Sequence, residues 1–137
     1  MKTKTLFLIV TKSRKIRKRS DIIKPSKNNR KGDNIMSVLK IDKNNFDSVS
    51  NSGKKLLLDF YADWCGPCRM VAPLVSEIAD ERSDIIVGKI NVDDEPELAS
   101  AFGVYSIPTL VVVEGNKILK QMTGARPKAK IVAMLEG

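Results

Sequence analysis

Histidine is absent from this 137-residue chain, and cysteine occurs twice only, as Cys65 and Cys68. A tetrahedral zinc centre needs four ligands, and with no histidine and no second cysteine pair no metal is expected. No apolar run approaches the ~18 residues of a membrane-spanning helix, so no membrane partner is expected. Leu6-Phe-Leu-Ile-Val10 is shorter than the ~7–15 residues of a signal-peptide core, and the positive charge follows it, where a secretory signal puts charge ahead. Aromatic residues are scarce at 5%, with one tryptophan, Trp64. No internal repeat is visible. What remains is a hydrophobic content of 42%, enough for a packed core, and a length that fits one domain with a tail.

The net charge of +8 points to nucleic acid or a membrane surface until it is located along the chain. Residues 1–35 hold twelve Lys/Arg against two Asp, a net of +10, and residues 36–137 hold twelve Lys/Arg against fourteen Asp/Glu, a net of −2. The basic character belongs to an arm, Lys12-Ser-Arg-Lys-Ile-Arg-Lys-Arg-Ser20 and the polar run after it. That composition offers no face to bury, and disorder is expected there. Three readings of the arm compete: an organelle-targeting segment, a tether to anionic surfaces, or an upstream extension of a reading frame whose working start is Met36. The abrupt change of composition at Met36 favours the third. The expected organisation is therefore a basic extension over residues 1–35 and one domain over residues 36–137. Nucleic-acid binding would rest on the arm alone, which lacks interleaved aromatics, and no nucleic-acid partner is expected.

Both thiols fall within Trp64-Cys65-Gly66-Pro67-Cys68. Two cysteines spaced Cys-x-x-Cys can close and reopen a small ring, the chemistry of disulfide exchange. The alternative is a structural disulfide. Closing so short a loop removes little chain entropy, so the bond would be a weak staple.

From Met36 onward, helix-like and strand-like segments alternate. Asn44 to Ser50 reads as a short helix capped by Asn44, with Phe46 and Val49 on one face. After Gly53, Leu56-Leu-Leu-Asp-Phe-Tyr61 reads as a strand covered on both faces, as in central parallel strands. Cys65 to about Glu81 carries Val71, Leu74, Val75 and Ile78 at helical spacing, with Pro73 inside. Ile85 to Asn91 is a second buried strand, and Pro96 to Phe102 a short helix. Thr109 to Glu114 and Lys117 to Met122 are strands joined by a Gly115-Asn116 hairpin turn. Pro127 to Leu135 closes the domain as a helix. The order predicts an α/β fold, a mixed central sheet with helices on both faces.

In this arrangement the chain resembles the thioredoxin family over essentially all of residues 36–137. The resemblance rests on Leu58-Asp-Phe-Tyr-Ala-Asp-Trp-Cys-Gly-Pro-Cys68, Ala72-Pro73, Lys89 within Val87-Gly-Lys-Ile-Asn-Val-Asp93, Ile107-Pro108-Thr109-Leu110, and Gly124-Ala125, in the family's order and spacing. Gly66-Pro67 between the cysteines is the thioredoxin form; related oxidases and isomerases usually carry histidine there. Tyr61 stands where many members have tryptophan, and Tyr105-Ser106 also departs from the common pattern. Both touch the docking surface.

The resemblance implies a thioredoxin fold and a dithiol–disulfide oxidoreductase that reduces partner proteins. No cofactor is bound; electrons come from NADPH through a thioredoxin reductase. It implies a monomer working in the cytoplasm, with organelle targeting by residues 1–35 the alternative. Cys65, at a helix start where free N–H groups favour an anion, is the expected nucleophile, and Cys68, one turn deeper, the buried resolving thiol. Asp59 is out of character in an apolar strand. Six residues before Cys65, it is expected beneath the disulfide, with a raised pKa, as the base for Cys68. Lys89 is its expected charge or water-linked partner, against the plain reading of an edge lysine facing solvent. These four form the expected catalytic set. Gly66 and Pro67 contribute to the redox potential. Trp64, the Ile107-Pro108 cis peptide and Gly124-Ala125 bind substrate, the Ile107 backbone by strand-like hydrogen bonds. Pro73 and Gly115 read as structural. An oxidase or isomerase role, and a redox-independent role as a subunit of a larger assembly, are the alternatives.

Overall fold

The computed structural model describes residues 38–136. The basic arm and the expected boundary at Met36 lie outside the described residues. In chain order the elements are β1 (Val38–Lys40), α1 (Phe46–Ser50), β2 (Lys55–Tyr61), α2 (Gly66–Glu81), β3 (Ile85–Asn91), α3 (Pro96–Ala101), β4 (Thr109–Glu114), β5 (Lys117–Thr123) and α4 (Lys128–Glu136). The five strands lie in the order β1-β3-β2-β4-β5. β1, β3 and β2 are mutually parallel, whereas β4 runs against β2 and β5 against β4.

The largely apolar, buried run of β2 explains its place between β3 and β4. Leu56, Leu58 and Phe60 point to one face, where Phe46 and Val49 of α1 and Leu98 and Ala99 of α3 cover them. Phe102 meets both Phe46 and Phe60 with ring centroids 5.6 and 5.3 Å apart. Leu57 points to the other face, packed with Val71, Val75 and Ile78 of α2 and Ile131, Met134 and Leu135 of α4. Each such side chain, fully removed from water, contributes about 1.5–3 kcal/mol relative to exposure. At the surface, Lys128 ties α4 to α2 through Glu77 and Glu81. No helix among the described residues is long and apolar enough to cross a membrane.

The mixed sheet with helices on both faces is the architecture that the sequence predicts, and three local details differ. β1 is not visible in the sequence: three residues show no period, and the strand exists because β3 offers a parallel ladder. Gly88 allows the close approach, since a Cβ there would lie 2.6 Å from Cδ1 and Cγ1 of Ile41. At the start of α1, the N-cap is Asn45 rather than Asn44, and its side chain makes no cap bond. The turn is instead built by Asp42, whose Oδ1 accepts from the N–H groups of Asn44 and Asn45, an Asx turn. Lastly, the β4–β5 ladder slips between Val112 and Val113. The Gly115-Asn116 turn holds, with Gly115 at φ +66 as a tight hairpin requires.

Candidate active site

At the end of β2 the chain leaves the sheet through Ala62 and turns, with the Cys65 N–H bonded to the Ala62 carbonyl at 3.2 Å. Cys65 is the N-cap of α2, in extended conformation. The next residues start the helix, with Pro67 in its first turn, where a missing N–H leaves no bond broken. Cys68 follows one turn on, and the two cysteines are joined as a disulfide with Cα atoms 5.3 Å apart. The Cys65 Sγ accepts a hydrogen bond from the Cys68 N–H at 3.2 Å. That N–H is one of the helix-start donors with no partner inside the helix, so a negative charge on Cys65 would meet a donor and the positive dipole end.

Exposure does not separate the two sulfurs: each residue is 4% exposed in the disulfide form. The helix geometry separates them, because only Cys65 occupies the cap. Gly66 and Pro67 are exposed above the ring. Ala62 packs with both cysteines, and Tyr61, Val92 and Ile107 close around them.

β4 brings the second wall. Because β4 is antiparallel to β2, its beginning lies beside the end of β2, with Thr109 opposite Phe60. This sets Ile107-Pro108, joined by a cis peptide, against the cysteine cluster. The Pro108 carbonyl accepts from the Gly124 N–H at 2.8 Å, and Gly124 has φ +96. Ala125 follows it, half-buried. Among the described residues, no backbone hydrogen bond involves Ile107, which leaves its main-chain groups open to an extended ligand.

Trp64 stands out from the surface, 68% exposed, and its indole N–H donates to Oδ2 of Asp93 at 2.9 Å. Asp93 is itself held by a bond from its N–H to Oδ1 of Asn91. Sequence reasoning missed Asp93. Its one signal was position, just past the end of the strand beside β2, so that the two exits are neighbours. Met70 and Tyr105 add exposed apolar surface. Met70 was also missed; in the sequence it is one more apolar residue of a helix.

Asp59 lies on the face of β2 that α2 covers, in register with Lys89 of β3 and Leu110 of β4. It is buried, and its Oδ1 has no hydrogen-bond partner among the described residues. Removal from water pushes its pKa up to about 7, and the nearby Lys89 charge pulls the other way by less. Its burial rules out a strand-end aspartate exposed to water. Lys89 is exposed, and its ammonium lies 5.8 Å from the centroid of the Tyr61 ring. Among the described residues, no group of His, Cys, Asp or Glu is placed to hold a metal.

A dithiol–disulfide pair at a helix N-terminus, with an open main-chain segment packed against it, defines the class: a thiol–disulfide oxidoreductase. The family model described as Thioredoxin matches residues 37–137. Thioredoxin of Alicyclobacillus acidocaldarius subsp. acidocaldarius is 46% identical over 92 residues, covering 66% of this chain and 88% of that protein. The bifunctional thioredoxin reductase/thioredoxin of Mycobacterium leprae is 47% identical over 88 residues, 64% of this chain and 19% of that longer protein. Among solved structures, a mutant thioredoxin from Halobacterium salinarum NRC-1 superposes with a TM-score of 0.67 at 36% identity, covering 72% of this chain and 87% of that one. The chain belongs to the thioredoxin family. It reduces disulfides in other proteins through the reversible Cys65–Cys68 disulfide.

Proposed function

We propose that Cys65 is the attacking thiol and Cys68 the resolving one. The observation that carries this assignment is the bond from the Cys68 N–H to the Cys65 sulfur at the helix cap. The Cys65 thiolate attacks one sulfur of a partner disulfide, forming a mixed disulfide and releasing the other sulfur as a thiolate. Asp59 takes the proton of Cys68, whose thiolate attacks the Cys65 sulfur. The Cys65–Cys68 bond closes, the second partner sulfur leaves, and the proton held on Asp59 returns to a leaving thiolate. Two electrons have passed to the partner. Lys89 moderates the charge on Asp59, and Gly66 and Pro67 shape the ring and so its potential.

Substrate binding falls to Trp64, to Ile107 and Pro108, and to Gly124 and Ala125. The unpaired backbone at Ile107 supports pairing with an extended strand of the partner, and recognition through main chain suits many partners. Recharging by a thioredoxin reductase, with NADPH as the source of electrons, fits the M. leprae protein, whose name joins reductase and thioredoxin. The chain acts as a monomer, which leaves the exposed Trp64, Met70 and Tyr105 free for partners. Its partners are proteins, and the net charge of −2 over residues 36–137 does not favour phosphate backbones. A net disulfide reductase needs a reducing compartment, and we place it in the cytoplasm. Residues 1–35 are an extension outside the catalytic domain.

The test is reduction of a protein disulfide by the purified full chain with NADPH and a thioredoxin reductase. Catalytic turnover that disappears in Cys65→Ser supports the reading. Full turnover without Cys65 overturns it.

A further inference from the structure

Lys89 has two partners within reach on β2. Across the ladder it is paired with Asp59, and Tyr61 lies two residues further along the same face. The ammonium has taken the ring. Its distance of 5.8 Å from the Tyr61 centroid is inside the ~6 Å range of cation–π attraction. Among the described residues, no ion pair joins Lys89 to Asp59, and the Asp59 Oδ1 is left without a partner.

The other neighbours narrow the choices open to the ammonium. β1 places Lys40 in register with Lys89, a like charge on the same face that disfavours a swing outward along the ladder. β4 contributes only the apolar Leu110 beside Asp59. At the cysteine end of α2 the groups near the sheet are Cys65 and Cys68, whereas Arg69 is exposed and turned to the Asp63 carbonyl. Besides the solvent that reaches this exposed side chain, the carboxylate and the ring are thus the two groups that can hold the Lys89 charge.

We propose that Tyr61 is a positioning residue, whose ring holds the Lys89 ammonium beside the Asp59 carboxylate without letting the two close into an ion pair. The proposal rests on Asp59 being the base for Cys68. A carboxylate closed into an ion pair loses proton affinity by roughly 1–3 pH units and is a poor base for a thiol. A buried carboxylate with no cation nearby holds its proton and is not available to accept another. The ring keeps Lys89 at an intermediate distance, and Asp59 sits between these limits.

The experiment follows the side-chain carboxyl resonance of Asp59 by NMR across pH in the full chain. The oxidised form is used, so that neither cysteine titrates. Tyr61→Leu is expected to move the Asp59 midpoint to lower pH by roughly one unit, as Lys89 closes on the carboxylate. Tyr61→Phe keeps the ring and leaves the midpoint in place. In a Lys89→Met background, Tyr61→Leu has no further effect. Three results overturn the proposal: no change in Tyr61→Leu, a rise in the midpoint, or a fall of equal size that persists in Lys89→Met. The last would mean that the ring acts by excluding water. If Tyr61→Leu fails to fold, the Lys89 ε-methylene protons of the unmutated chain decide. Upfield ring-current shifts support the proposal, and random-coil positions overturn it. Turnover of Asp59→Asn reads the base assignment separately, because the midpoints report the placement of Lys89 whether or not Asp59 moves a proton.

Discussion

Trp64 and Asp93 join the exits of two neighbouring parallel strands: the indole N–H donates to the carboxylate at 2.9 Å, across 29 residues of sequence. A large apolar ring, mostly in water, would otherwise sample several rotamers. The bond selects one of them and keeps the ring beside the disulfide, ready for a partner.

Asp93→Ala therefore weakens partner binding more than chemistry. Losing one hydrogen bond to a charged group removes about 1 kcal/mol of ordering, which corresponds to a rise of several-fold in KM. kcat stays within about two-fold, and the unfolding midpoint in urea falls only slightly, by no more than the ~1 kcal/mol of the lost bond. A fall in kcat at constant KM would contradict this division. Steady-state kinetics on a protein disulfide and Trp64 fluorescence anisotropy check it together.

Replacing Cys68 by serine leaves the first exchange intact and blocks the second. Partner proteins should accumulate as mixed disulfides on Cys65, visible on non-reducing gels and released by dithiothreitol. Cys65→Ser should trap essentially none. The reverse pattern would exchange the two roles.

Asp59 gives a pH dependence of defined sign. Its carboxyl has a pKa of about 7 in the fold against an ordinary 3.8, so between those values the native state binds more protons than the unfolded chain. The Asp59 contribution to stability is greatest below about pH 4, falls as pH rises toward 7, and is level above it. Asp59→Asn should remove this slope and stabilise the protein at pH 8 by about 2–4 kcal/mol, on the scale of ~1.4 kcal/mol per pH unit. Turnover should fall several-fold. Urea denaturation at pH 4, 6 and 8 reads the first claim, and pH–rate profiles the second. A parallel slope in Asp59→Asn would assign the pH dependence to another group.

Gly88→Ala should destabilise by about 1–3 kcal/mol, the usual scale of overpacking. The new methyl would meet the buried Ile41 side chain at 2.6 Å. Ile41→Val removes the Cδ1 atom and should recover part of the loss in the double variant, a coupling that a thermal-melt cycle detects. Strictly additive losses would show that the contact relaxes elsewhere.

A protein beginning at Met36 should match the full chain in turnover at moderate salt and in stability to within about 0.5 kcal/mol, the scale of surface changes. The residues assigned to the chemistry all lie between Asp59 and Ala125. Loss of most activity or misfolding on truncation would place the arm within the domain.

Much of this architecture is legible because its strands are buried runs with clear breaks. Ile85 to Asn91 and Thr109 to Glu114 begin and end where the apolar pattern does, and Gly115-Asn116 can hardly be anything but a tight turn. α2 is legible from the spacing of Val71, Val75 and Ile78. β1 is not, because a three-residue edge strand takes its structure from β3 and from the gap that Gly88 leaves. The burial of Asp59 could be expected from a carboxylate in an apolar run. The placement of Lys89 could not, since two attractors on one strand face compete for its ammonium and sequence does not rank them. The Trp64–Asp93 bond is a long-range contact between loops, and neither residue marks it locally.

The direction of β4 has a further consequence for handling the molecule. Since β4 starts beside the reactive sulfurs and runs away from them, the Gly115-Asn116 turn stands at the opposite pole, roughly 20 Å distant at ~3.4 Å per residue. A dye, an affinity handle or a surface linker attached at Asn116 would leave the catalytic pole facing outward. Immobilised in this orientation, the protein becomes a directional probe, able to fish disulfide-bearing proteins from a mixture while its point of attachment stays clear of them.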